Sequence, residues 1–280
     1  MDTLVRKPYP TDLTDEQWDV LELAIPPAKR NGRPRCVDLR EVINALLYLA
    51  RTGCQWRMLP HDFPSKSTVY EYFHAWTKDG TWRLITEELA ACVRLAEQRE
   101  MSPSAAAIDS QTVKTTEQGG VRGYDGGKKI LGRKRHLLFD TLGLLMAVAV
   151  TSAAADDAAA APQVLGGLNH RDYPRLAVVW GDAKYHNHAL AHWKARHTSL
   201  HWNLEIVRRP PAAKGFTLLP KRWIAERSIA WLNRARRLSK DYERHTSSSE
   251  TMIRLSAIYH SLNRLSPKQT DPPFRYRLMS

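Results

Sequence analysis

The sequence predicts an α/β protein in which a small all-α region precedes a mixed sheet with helical cover. Two observations support this. Apolar residues recur at helical spacing through the first hundred residues, whereas short apolar runs bounded by turn residues dominate from residue 104 onward. The order in the second part is strand, hairpin, helix, strand, helix, strand and helix, which is typical of a mixed α/β sheet.

Four helices are predicted in the first hundred residues. The first begins at a capping box, in which Thr14 precedes Gln17 by three residues, and it stops at two consecutive prolines. The others are expected to begin near Asp38, to span about 67–78 and to span about 81–100. Basic loops join them, so residues 1–100 are predicted to form a helical DNA-binding domain.

The second predicted domain covers residues 101–265, and its first buried strand leads into Asp109. Residues 266–280 contain three prolines and no clear period, which favours a flexible tail. The remaining elements are expected in chain order as a hairpin over 134–151, a helix over 156–168, strands at 176–180 and 204–207, and a long helix over 222–242.

Composition limits the kinds of partner and compartment. The net charge of +13 favours a polyanionic partner such as nucleic acid, although a merely basic soluble protein would share it. Three scattered cysteines argue against a disulfide framework or a zinc knuckle and fit a reducing cytosol. No apolar run reaches 18 residues and no signal-peptide pattern is present, so a soluble, intracellular protein without a membrane partner is expected.

Two carboxylates follow predicted strands. Asp109 and Asp182 each stand at the downstream end of an apolar run, where α/β sheets bind ligands. A carboxylate there is costly to bury unless a metal or a donor satisfies it. Single Asp residues at strand ends are also common in turns, and Asp140 in the hairpin turn is such a decoy.

A third carboxylate lies on the predicted long helix. Glu226 falls opposite the apolar stripe, in line with Arg222 and Arg237. In isolation this fits a surface helix with an Arg222–Glu226 pair. Together with two strand-end Asp residues, Glu226 completes a set of oxygen ligands suited to Mg²⁺ and to in-line phosphoryl displacement. A zinc site at His186, His188 and His192 is not expected, because no Cys is near and the spacing matches no known set.

Several cationic groups are candidate DNA contacts. The segment 28–35 carries four cations between Gly and Pro, which suits a narrow minor groove or a solvated loop. The run at 132–136 suits a strip of phosphate contacts or a charged edge strand. The candidates in chain order are Arg33, Arg35, Lys114, Arg133, Lys134, Arg135, Lys184, Arg222, Arg234 and Arg237.

Three segments resemble the catalytic motifs of bacterial insertion-sequence DDE transposases. They are Ala107–Lys114 (AIDSQTVK), Trp180–Tyr185 (WGDAKY), and Arg222–Arg227 (RWIAER) followed by Trp231–Arg234 (WLNR). The segments Leu13–Trp18, Arg51–Arg57 and Phe73–Trp76 are similar to the helical domain that precedes the catalytic core in one large subgroup. The resemblance covers about residues 10–265 and keeps the motifs in order.

The resemblance implies an RNase H-like core in which Asp109, Asp182 and Glu226 are catalytic and bind Mg²⁺, with Mn²⁺ as a substitute. It further implies double-stranded DNA as the partner, both as transposon ends with terminal inverted repeats and as target. Cleavage and strand transfer by a homo-oligomer on DNA, in the cytoplasm and on the bacterial nucleoid, are the corresponding expectations.

The helix motif departs from the related signature at two positions. Leu219 stands where the signature has Tyr, and Asn233 stands where it has Lys, with Arg234 next to it. These departures concern the DNA-end contacts and not the metal ligands. A transposon-derived regulator that binds DNA without cutting it is the alternative, and a plain metal nuclease would need no end-specific helical domain.

Overall fold

The computed structural model of the chain describes residues 6–27, 35–208 and 219–268. Its helices are α1 (Asp15–Ala24), α2 (Leu39–Thr52), α3 (Lys66–Lys78), α4 (Thr81–Ala96), α5 (Asp157–Leu165), α6 (His188–Arg196), α7 (Pro220–Leu232) and α8 (Thr246–Leu265). Its strands are β1 (Ala105–Lys114), β2 (Gly123–Asp125), β3 (Ile130–Asp140), β4 (Leu145–Ser152), β5 (Val178–Gly181) and β6 (Asn203–Ile206).

The helix starts follow local side-chain chemistry. Thr14 and Gln17 form the predicted capping box at the start of α1, and Asp38 accepts from the first free amides of α2. Gly53 ends α2 with a φ of 73°, a left-handed conformation that favours glycine. The four predicted N-terminal helices are therefore confirmed.

The sheet contains antiparallel and parallel pairs. Within the described residues it has six strands in the order β2-β3-β1-β5-β6, with β4 also paired to β3. Strands β2, β3, β4 and β1 run antiparallel where they pair, whereas β1, β5 and β6 are parallel to one another. This mixed sheet with helices on both faces confirms the RNase H-like α/β core.

The two faces of the sheet contact different helices. Ala107, on β1, belongs to a core cluster with side chains of α2, α4, α7 and α8, and Ala106 belongs to a second cluster with side chains of α5 and α6. Successive residues of a strand point to opposite faces, which explains the division. The face that carries Ala107 is called the α7 face.

Helix α8 and the short strand β2 were not predicted from the sequence patterns. The α8 side chains Met252, Leu255, Ile258 and Leu262 are buried in one cluster with those of the N-terminal helices. The helix is buried on several sides, so its apolar residues show no single stripe. Because this core is continuous, residue 100 does not separate two hydrophobic cores.

The predicted helix over 222–242 is shorter in the structure. Helix α7 ends at Leu232, and a separate 3-10 turn follows at Arg236–Leu238. Ala235 and Leu238 continue the apolar pattern and are buried, but they reach the core from the turn. The same burial pattern thus arises from two elements joined by a bend.

Two further features concern the ends and the surface. Of the predicted tail, residues 266–268 are described, and the ammonium group of Lys268 donates to the carbonyl of Pro10. Among the described helices none combines the length and apolar character needed to cross a membrane.

Candidate active site

The pairing of β1 with β5 brings two predicted carboxylates together. Ala107 pairs with Trp180 in parallel register, and two residues further along each strand come Asp109 and Asp182. Neighbouring strands lie about 4.8 Å apart, so the two residues are close neighbours. Asp182 follows the last residue of β5, where the backbone turns away and opens the sheet.

Both carboxylates lie under α7. Ala107 and Trp180 pack in the same cluster as Ala225 of α7, and side chains two residues along a strand point the same way. Asp109 lies within β1 and not at its end as predicted, and Asp182 follows β5; with Arg222 they line a narrow cleft between these two strands and the first turns of α7. The cleft is thus built by the sheet on one side and one helix on the other.

Each Asp uses one oxygen on a local amide. Asp109 accepts from the backbone N–H of Ser110 at 2.7 Å, and Asp182 accepts from that of Lys184 at 3.0 Å. These bonds fix the carboxylates while a second oxygen of each is left for another ligand. That arrangement suits a hard divalent cation, which prefers oxygen donors.

Burial raises the pKa of Asp109 from 3.8 to about 6. The amide of Ser110 opposes this shift, the nearby charge of Asp182 adds to it, and Arg222 and Lys128 oppose it more weakly. The cations around Asp109 therefore do not offset its desolvation. A bound divalent ion would reverse the shift, because it favours the charged form.

Glu226 stands apart from the two Asp residues. Its carboxylate pairs with Arg222 one turn earlier on α7 at 3.4 Å, and its side chain is 51% exposed. Over the described ranges, no three or more His, Cys, Asp or Glu side chains are arranged to hold a metal ion. The structure brings Asp109 and Asp182 together in the cleft. Glu226 does not line the cleft, although the residue before it, Ala225, does.

The chain matches two family models at this point. A model described as "Transposase DDE domain" matches residues 100–260, more than half of the chain, and contains the whole cleft. The chain belongs to the DDE transposase family. A second model, described as "Putative transposase of IS4/5 family", matches residues 13–86 of the helical region.

Two relatives are similar to part of this DDE transposase. An insertion element IS402 uncharacterized 16.2 kDa protein of Burkholderia cepacia is 30% identical over 113 residues, which is 38% of this chain and 76% of the relative. The uncharacterized protein y4sN of Sinorhizobium fredii is 28% identical over 117 residues, or 41% of this chain and 87% of the relative.

Three of the arginines predicted to contact DNA lie inside the transposase. Arg133 is fully buried and bonds to Asp241 and to the carbonyls of Glu243 and Arg244. Arg135 donates to the carbonyls of Leu238 and Lys240, and burial lowers its pKa to about 10.

Arg237 is the third, and it bonds to Glu243 and to the carbonyl of Cys54. The prediction that Arg133, Arg135 and Arg237 contact DNA is therefore corrected. The guanidinium groups of Arg133 and Arg135 fix the segment after α7 onto the sheet, and that of Arg237 fixes the same segment to the connection after α2. The basic run at 132–136 was interpreted as a surface strip. It lies on β3, whose two faces are both covered, so the cations on either face point inward.

Lys134 and Lys184 both contact Asp157, at the start of α5. Lys134 is buried and its ammonium group lies 3.2 Å from that carboxylate, so its predicted DNA contact is also corrected. Lys184 is half exposed and lies 3.1 Å from the other carboxylate oxygen, which ties the loop after Asp182 to α5. Lys184 stays at the surface beside the cleft.

The remaining predicted contacts differ in placement. Lys114, at the end of β1, and Arg234, after α7, are exposed. Arg35 donates to the carbonyls of Pro26 and Pro27, and Arg33 lies outside the described residues. Asp140 pairs with buried Arg94 and accepts two turn amides, so this decoy is a structural carboxylate.

Two lysines near the cleft were missed in the sequence. Lys221 lines the cleft and pairs with Glu205 at 2.6 Å. The ammonium group of Lys128 lies 3.5 Å from the carbonyl of Ser110, next to Asp109. The run Gly126–Lys129 was the available signal for Lys128, since glycine lets a backbone approach a ligand closely and lysine attracts phosphate.

Proposed function

We propose that this transposase binds the terminal inverted repeats of an insertion sequence, cleaves the DNA strands at its ends and transfers them to target DNA. The observation that carries the proposal is the parallel pairing that aligns Asp109 with Asp182 under α7. The match to a DDE domain supports the proposal, because two neighbouring carboxylates offer the oxygen donors that a metal-dependent phosphoryl transfer would require.

Asp109, Asp182 and Glu226 are the proposed ligands of Mg²⁺, with Mn²⁺ as a substitute. Bound metal would polarise the scissile phosphate and lower the barrier to attack by water and then by a freed 3′-OH. Asp109 and Asp182 are held by backbone amides, so they are oriented before DNA arrives. Glu226 can join them only if its carboxylate leaves Arg222 and turns toward the metal ion.

Arg222 has a defined part in this exchange. It lines the cleft and pairs with Glu226, and a DNA phosphate is a competing partner for its guanidinium group. Binding of DNA would then release Glu226 toward the two Asp residues. Assembly of the metal site is thereby linked to the presence of substrate.

The test is cleavage of a labelled duplex that carries the flanking inverted repeats, by full-length protein with Mg²⁺. Asp109→Asn, Asp182→Asn and Glu226→Gln should each abolish cleavage and keep DNA binding, because an amide keeps the shape and loses the charge. Glu205→Gln is the matched control, since Glu205 is a nearby carboxylate that is also paired with a cation. Substantial cleavage by any of the first three variants would remove that residue from the proposed site.

The separation of Glu226 from the two Asp residues favours one alternative function. A transposon-derived regulator would bind DNA through the same basic surfaces without cutting it. Wild-type protein that binds the inverted repeats tightly but leaves them intact with Mg²⁺ and with Mn²⁺ would support the regulator over the enzyme. Light scattering of the protein with and without end DNA would test the proposed homo-oligomer.

A further inference from the structure

A second groove lies between the helical region and the catalytic core, away from the cleft. One wall is the connection from α2 to α3 with the start of α3, and the other is formed by the segments after β1 and before α8. The groove has a volume of about 750 Å³. Its lining includes Trp56, Arg57, Lys66, Tyr70, Arg244 and His245.

The walls are fixed to each other by buried contacts. Arg237 donates to Glu243 in one wall and to the carbonyl of Cys54 in the other. Gly53 packs so closely on the backbone of Arg237 that an added Cβ would lie 3.3 Å from its nitrogen. The groove is therefore preformed and does not depend on a ligand to bring its walls together.

The lining is cationic and aromatic. Arg57, Lys66 and Arg244 are exposed, whereas the carboxylate in the lining, Glu243, is already paired with Arg237. Tyr70 is 44% exposed and its ring meets that of Trp56 edge to face at 5.2 Å. Exposed cations beside an exposed aromatic ring suit a phosphate backbone with sugars and bases.

The groove lies on the same side of the sheet as the cleft. The segment after α7 runs over the α7 face, where Arg135 and Arg133 of β3 hold its carbonyls. From Asp109 to Lys114 and Thr116, β1 and its continuation span about 17–23 Å at about 3.3 Å per residue. That distance equals about five to seven base pairs at about 3.4 Å each.

A cationic track connects the two sites. Lys240 is exposed on the segment after α7, where Arg135 of β3 holds its carbonyl, and exposed Arg236 lies against Gly53 of the groove. A duplex with its scissile phosphate at Asp109 and its axis along this face would run toward Arg244 beside these cations. The spacing and the sign of the charges thus point to a single DNA path.

We propose that this groove binds the sugar–phosphate backbone of the DNA end about five to seven base pairs from the cleaved position. The proposal rests on the proposed function for its reference point, the scissile phosphate at Asp109. Arg57 and Arg244 contact phosphates from opposite walls, Lys66 adds a third cation, and Tyr70 packs against the backbone. The groove sets the register of the DNA end relative to the cleft.

Binding of an inverted-repeat duplex is measured without divalent metal, so that cleavage plays no part. Arg57→Ala combined with Arg244→Ala should lower the salt slope by about two and weaken binding at least about tenfold near 0.1 M salt, because each lost phosphate contact removes about 0.9 from the slope. Lys66→Ala alone should lower the slope by about one. Arg171→Ala combined with Arg196→Ala is the charge-matched control on exposed residues outside the groove.

Neutral methylphosphonates placed one at a time along the duplex locate the contact. Wild-type protein should lose affinity at substitutions about five to seven base pairs from the cleavage position, and the Arg57/Arg244 variant should be insensitive there. The proposal is overturned if these variants, folded by circular dichroism, keep the salt slope of the control. If the variants have reduced salt slopes but the wild type never cleaves DNA, the groove binds DNA and the proposed enzymatic function is wrong. If the wild type cleaves DNA but the variants have unchanged slopes, the enzymatic function stands and the proposed groove is wrong.

Discussion

Replacement of Asp109 by Asn should stabilise the metal-free protein while removing its activity. Asp109 has its pKa raised from 3.8 to about 6 by burial, so the folded state opposes the charged form. The pKa difference between the folded and unfolded states lowers the free energy of unfolding by about 3 kcal/mol at about pH 7.5 and by about 1.5 kcal/mol at about pH 5. Asn removes the charge and keeps an oxygen for the Ser110 amide.

The sign follows from proton binding. Above about pH 6 the folded protein holds an unfavourable carboxylate, and as the pH falls toward 4 the folded state takes up a proton and the disadvantage disappears. Thermal unfolding without metal should therefore place the variant about 5 °C above the wild type near pH 7.5, with a smaller difference near pH 5. Millimolar Mn²⁺ should raise the melting temperature of the wild type only.

Two results would contradict the expected stabilisation by Asp109→Asn. A variant that melts at or below the wild-type temperature near neutral pH would mean that Asp109 is satisfied by groups already in the protein. A stability difference that does not change between about pH 5 and 7.5 would mean that its origin is not the proton affinity of this carboxylate.

Further outcomes are expected from the same structure. Asp241→Asn leaves the buried Arg133 without its charged partner. It should lower the free energy of unfolding, measured with urea, by about 3–5 kcal/mol. Gly53→Ala should lower the free energy of unfolding by about 1–2 kcal/mol, because Gly53 has a φ of 73° and its Cα faces the backbone of a neighbouring segment. Urea unfolding also measures this loss. Arg222→Ala removes a cation that lowers the pKa of Asp109. The pH at which metal gives half of its full increase in melting temperature should therefore be higher in this variant than in the wild type.

The sequence was informative where one side chain or one period determines the structure. The capping box at Thr14, the start of α2 near Asp38 and the apolar run that leads into Asp109 are local signals, and the elements they predict are present. The Asp109–Asp182 neighbourhood also followed from position alone, because both residues end apolar runs that pair in parallel.

Long-range packing explains what was not predictable. The run of cations at 133–135 looked like a surface. The segment after α7, a hundred residues later, covers Arg133 and Arg135, and the start of α5 covers Lys134 on the other face. Helix α8 and the bend after Leu232 depend on the N-terminal helices that cover them. The pairing of Glu226 with Arg222 was foreseen as an alternative, yet its exclusion from the cleft could not be read from spacing.

The most direct test of the proposed metal site is the anomalous diffraction of Mn²⁺ in crystals of the full-length protein with inverted-repeat DNA. We expect a metal peak in contact with carboxylate oxygens of Asp109 and Asp182, with Glu226 turned from Arg222 toward the metal and Arg222 on a phosphate. Crystals that contain DNA in the cleft but show no metal at Asp109 and Asp182, or show Glu226 still paired with Arg222 beside a bound metal, would contradict it.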